Sequence, residues 1–108
     1  MKLQTIDGRN IDNVCHAMAR DAFNAAGRAA CGIMSCNLAA RRVVDYGTDL
    51  MGATETPDEV NAINDVIAAA RFIIATCDVN GDMNAAAVIM TRAIYAAGSI
   101  LPFFALGY

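Results

Sequence analysis

The chain has 108 residues, 56% of them hydrophobic, with a mean hydropathy of +0.38 and a formal net charge of −3. A chain this long can bury a core without metals or disulfides, so residues 1–108 are read as one domain. An isoelectric point near 4.8 argues against nucleic-acid binding, which needs a basic face to displace counterions.

Met1–Asn10 opens with Lys2-Leu3-Gln4-Thr5-Ile6 running into Asp7-Gly8, a turn dipeptide, and reads as a short irregular or β-like stretch. It has no apolar core of the kind a secretion signal carries. Asn10 or Asp12 can then cap a helix. About one residue in five is alanine, and the alanines fall at helical spacing. The stripe Ile11, Val14, Cys15, Met18, Ala22, Ala25, Ala26, Ala29, Ile33, Cys36, Ala40, Val43 holds its phase throughout. Side chains this small let helices pack closely. Gly27 and Gly32 each cost about 1 kcal/mol relative to alanine and are places for a break. No Ser, Thr, Asp or Asn lies between Arg28 and Met34 to cap a new start, however. The expectation is therefore one helix over about 11–46, kinked near Gly27–Gly32, in preference to two helices. Phe23, Cys31, Met34 and Leu38 lie off the main stripe and imply a second neighbour, either the chain's own tail or another molecule.

Tyr46–Glu55, with Gly47 and Gly52, reads as a loop. Thr56-Pro57-Asp58-Glu59 is the strongest local signal. Thr56 caps, Pro57 takes the first helical position where no N–H is needed, and Glu59 closes a capping box. The second helix, 57–77, buries Val60, Ile63, Val66, Ile67, Ala70, Ile73 and Ile74. Asp78-Val79-Asn80-Gly81 forms a turn, and Asp82 caps a third helix over 83–97 that ends at Gly98. This helix is apolar nearly all round, with Met83, Ala86, Ala87, Met90, Ile94 and Ala97 on one side and Val88, Ile89 and Tyr95 elsewhere. Such a helix belongs in the middle of a bundle or in an interface. The tail Ile100–Leu106 is apolar enough that it must cover something.

Ala93–Tyr108 is the best candidate for a membrane span. It is short of the roughly twenty residues a span needs and carries Gly98 and Pro102. Extending it backwards brings in Arg92 at a cost of ~2.5–3.5 kcal/mol near a bilayer centre. The fold expected is thus all-α: a compact bundle of three to four helices with an apolar C-terminal tail.

Four cysteines without an export signal place the protein in a reducing, cytoplasmic setting. Cys15, Cys36 and Cys77 sit on apolar stripes as small buried residues do, and Cys31-x4-Cys36 is neither a redox nor a zinc spacing. Asp78-Val79-Asn80-Gly81-Asp82 resembles the opening of a calcium loop of the EF-hand or dockerin type. The resemblance stops there. Met83 stands where that loop needs glycine, Ala86 at its ninth position, and Ile89 where a bidentate acid should close the shell. The sole histidine, His16, points about 100° away from Cys15, so the pair does not serve as base and nucleophile. Ser35 and Ser99 lack a glycine elbow. Arg41-Arg42 can grip an anion, though Asp45 is placed to pair with them. No catalytic, cofactor-binding or metal-ligating set is expected.

What remains is a non-enzymatic protein–protein interaction module that acts by occupying a surface. Residues 43–70 hold six acids and no base. This marks Asp45, Asp49, Glu55, Asp58 and Glu59 as a face for a basic partner. Phe23, Met34, Leu38, Phe103 and Phe104 are the apolar candidates. In its sharper form the protein is a small phage- or mobile-element-type inhibitor of a host defence complex. The alternative is a homodimer or larger homo-oligomeric assembly. A further alternative is a small-molecule carrier or enzyme with Met18, Met34, Met90, Phe23 and Phe72 around a cavity.

Overall fold

The computed structural model describes residues 5–6 and 9–106. Thr5–Ile6 (β1) and Arg9–Asn10 (β2) pair antiparallel, Thr5 opposite Asn10 and Ile6 opposite Arg9. The Asp7-Gly8 turn and Lys2–Gln4 lie outside the described residues. Four helices follow: α1 (Ile11–Ala30), α2 (Cys36–Leu50), α3 (Pro57–Asp78) and α4 (Met83–Gly98), with 3-10 turns at Met51–Ala53 and Pro102–Leu106. α1 packs on α2 and α4, and α3 packs on the same two, which closes a square of four. Short connections make neighbours antiparallel. Accordingly the first residue of α2, Cys36, meets the end of α3 at Cys77, 3.5 Å between sulfurs. The protein is an all-α bundle of four helices.

The single rod over 11–46 does not form; the chain reverses at 31–35. Gly32 takes φ +70°, where any side chain is strained. The Gly32 N–H donates to Ala29 O (3.0 Å) and the Ile33 N–H to Arg28 O (2.8 Å), the two backbone bonds of a Schellman stop. The restart needs no capping side chain. Ser35 makes no side-chain cap bond, and the Cys36 and Asn37 N–H groups donate instead to the carbonyls of Ile33 and Met34, each at 3.1 Å. Ile33, expected in the buried stripe, is 49% exposed in this turn.

The loop expected at Tyr46–Glu55 is also shorter, because α2 continues to Leu50 through Gly47. A Cβ at Gly47 would stand 2.7 Å from Ile67 Cγ1 and 3.1 Å from Met18 Cε. The glycine lets α2 sit close against both α1 and α3. Around it the core alternates small and large residues: Ala19, Ala22, Ala25, Ala40 and Ala70 against Met18, Leu50, Ile63, Ile73 and Met90, all fully buried.

The remaining boundaries follow the local chemistry. Thr56 Oγ1 accepts from the Glu59 N–H at 3.2 Å, and Glu59 Oε1 accepts from the Thr56 N–H (3.2 Å) and the Glu55 N–H (2.7 Å). α3 stops where Asn80 takes φ 51° and the Gly81 N–H donates to Thr76 O at 2.9 Å. Asp82 Oδ1 then accepts from the Ala85 N–H at 3.2 Å to start α4. The apolar tail covers its own chain. Leu101 and Phe104 are buried, Phe103 packs half-buried against the core, and the turn at Pro102–Leu106 rests on α4 and α1. α4 ends at Gly98, so Ala93–Tyr108 is not one helix. Among the described residues, α3 alone is long and apolar enough to cross a membrane, and half of that stretch is buried within the bundle.

Candidate interaction surface

α4 carries one charged residue, Arg92. Its Ala86, Ala87, Met90, Ile94 and Ala97 face the core between α1 and α3. α1, α3 and the turn at Pro102–Leu106 cover only part of the circumference of α4. The rest of α4 leaves Val88 47%, Ile89 41% and Tyr95 76% exposed, and Ile100, just beyond its end, is also open to solvent. A shallow groove of about 250 Å³ runs between α3 and α4, lined by Asp58, Asn61 and Asp65 on one side and Ala93, Ala96 and Ile100 on the other. The outer side of α4 thus presents Val88, Ile89 and Tyr95 with Asn84, Thr91 and Arg92 beside Val88, and carboxylates along its α3 edge.

The acids singled out in the sequence do not form one patch, because the chain turns back between α2 and α3. Asp45 is exposed on α2, two residues from buried Val43 and Gly47, and so points away from the core. Asp49 is half-buried and Glu55 is exposed in the connection. Asp58 is exposed and joins Asp65 in the α3–α4 groove. Glu59 is 8% exposed and its carboxylate is engaged in the capping box, so it presents no charge to a partner. Arg41 Nε donates to Asn37 Oδ1 at 3.1 Å, in place of the expected pairing with Asp45.

The apolar candidates divide likewise. Met34 and Leu38 are 56% and 51% exposed beside Ile33, at the α1–α2 turn. Phe23 is half-buried against the core, and Phe104, at 2%, is used up inside its own chain. Met18 and Met90 are in the core whereas Met34 and Phe72 are on the surface, so the methionine set lines no common cavity. The outer residues of α4 were not among the candidate site residues. The signal was in the sequence, as a helix apolar all round; what was missing was that two helices and the C-terminal turn leave part of it uncovered.

Reactive groups are dispersed. His16 is exposed on α1. Burial, with the Asp12 carboxylate adding to it, pushes the Cys15 thiol up to about 11. Burial also pushes the Cys36 thiol up to about 11, reinforced by the Cys77 thiol against it. Among the described residues no three His, Cys, Asp or Glu side chains converge as a metal site would require. In the calcium-like segment Asp82 is committed to its helix cap and Asn80 to the turn. Ser99 Oγ donates to Ala96 O at 2.9 Å. Asp21 is buried in α1 with Arg20 Nη2 at 3.6 Å, and its Oδ2 has no hydrogen-bond partner.

Comparison with known protein families, with curated proteins and with solved structures finds no match.

Proposed function

We propose that the protein is a non-enzymatic interaction module of the cytoplasm that works by covering part of another protein. The observation that carries this reading is the outer face of α4: Val88, Ile89 and Tyr95 exposed on a helix with a single charge. Apolar side chains grouped in this way mark contact sites more often than solvated surface. Exposed Asp58 and Asp65 flank the face along its α3 edge. The partner that fits is a protein with an apolar contact centre rimmed by Lys or Arg. A small inhibitor of the phage or mobile-element type, seated on a nucleic-acid-binding surface, acts in this manner.

Reversing Asp58 and Asp65 to lysine is expected to slow association with such a partner by about tenfold and flatten its salt dependence. Unchanged association kinetics would remove the acidic rim from the account. Self-association is the second reading, because Arg92 and the Asp58/Asp65 pair give the surface complementary charges of its own. Sedimentation at micromolar concentration separates the two: a dimer supports self-association, a monomer supports a different partner.

A further inference from the structure

Folding brings three sulfurs together where α2 begins, α3 ends and α4 begins. Cys36 Sγ lies 3.5 Å from Cys77 Sγ, and Cys77 Sγ lies 4.0 Å from Met83 Sδ. Cys36 is 0% exposed and Cys77 6%, while Met83 is half-buried at the first residue of α4. Cys36 lies 41 residues from Cys77 and Met83 six residues beyond it, and nothing in this spacing announces a site.

We propose that Cys36, Cys77 and Met83 form a soft-metal site that takes one Cu(I) ion per chain. Two thiolates and a thioether are the donor set that selects Cu(I) over harder ions. Zinc is a poor fit, since it takes four ligands and does not use thioethers. The spacing needs little adjustment. Three sulfurs held about 2.3 Å from one ion in a plane stand about 4 Å apart, close to the 3.5 Å between Cys36 and Cys77 and the 4.0 Å between Cys77 and Met83. Burial of both thiols, 0% exposed at Cys36 and 6% at Cys77, keeps water away, which favours the monovalent ion.

In the metal-free protein Cys77 is placed to donate to Met83, and the two cysteines are hydrogen-bonded to each other. Binding exchanges these protons for the ion: Cu⁺ plus two thiols gives a two-thiolate, one-thioether copper complex of charge −1 and two released protons. No electron is transferred. Affinity should therefore fall about 100-fold for each unit of pH lowered below the thiol range.

The test is anaerobic titration of the reduced full-length protein with Cu(I) held by a chromophoric chelator. The account expects one equivalent withdrawn per chain, a thiolate-to-copper charge-transfer band in the ultraviolet, and the two-proton pH slope. The Cys15→Ser/Cys31→Ser double variant, which keeps only the inner pair, should bind like wild type. Cys36→Ala and Cys77→Ala should each lose binding by at least 100-fold while circular dichroism shows the helices intact, and Met83→Leu should weaken it about tenfold. Failure of the double variant to compete for copper would overturn the assignment. So would binding that survives in Cys36→Ala, a copper bridging two chains through exposed Cys31, or formation of a Cys36–Cys77 disulfide with no copper retained.

Discussion

The two ends of the bundle are closed by different means. At the α2–α3 end, side chains do the work: Thr56 and Glu59 exchange hydrogen bonds with backbone N–H groups, and Pro57 sets the first turn. At the opposite end the backbone reverses twice through left-handed residues, Gly32 with φ +70° and Asn80 with φ 51°, each sealing its helix with Schellman-type bonds, and the single side-chain cap is Asp82 at the start of α4. A reciprocal capping box dominates one end, left-handed backbone and buried sulfur the other. The two ends should therefore fail under different perturbations.

Alkali is the largest of these. A thiol whose folded pKa of about 11 lies above the ordinary 9.0 stabilises the fold fully below pH 9 and loses that contribution as pH rises toward 11. For Cys36 the loss amounts to roughly 2–3 kcal/mol. Denaturant titrations at pH 8 and 11 should show it, and Cys36→Ala should reduce the slope with pH. Cys15, on α1 near the other end, carries a similar loss that this variant leaves in place. A pH-independent midpoint up to 11 would contradict the buried, protonated state of both thiols.

Gly32→Ala comes next, forcing a Cβ into the left-handed region at a cost of about 1–2 kcal/mol. Gly27→Ala is its control. Gly27 lies inside α1 with nothing within 4 Å of an added Cβ, so stability should rise by about 1 kcal/mol. Equal effects at both glycines would mean the chain does not reverse at 31–35. Thr56→Ala should cost about 1 kcal/mol through the lost cap, readable as a shift in the chemical-denaturation midpoint with unchanged slope. Smallest is Asn80→Gly, which relieves the left-handed residue and should stabilise by about 0.5 kcal/mol.

The same contrast explains what could be read in the sequence. The start of α3 was legible because Thr56, Pro57 and Glu59 are residue types chosen by helix chemistry, and Asp82 announced α4 for the same reason. The end of α1 was harder. Its stop is a backbone conformation at one glycine, its restart uses turn carbonyls in place of a cap, and the apolar phase carries across the turn from Ala29 to Cys36. Reading 11–46 as one rod then hid the meeting of Cys36 with Cys77, which requires α2 to run back along α3. The candidate surface was half legible. α4 stood out as apolar all round, but which of its residues stay open depends on how many helices cover it.

The central claim is that the outer face of α4 exists to be touched and contributes little to folding. Its most direct test is the double variant Val88→Glu/Tyr95→Glu, measured for unfolding free energy and for association, with the partner or with itself, in the same buffer. Stability within about 0.5 kcal/mol of wild type, together with loss of association, is the predicted result. Association at wild-type strength, or unfolding as severe as that of a core substitution, would contradict it.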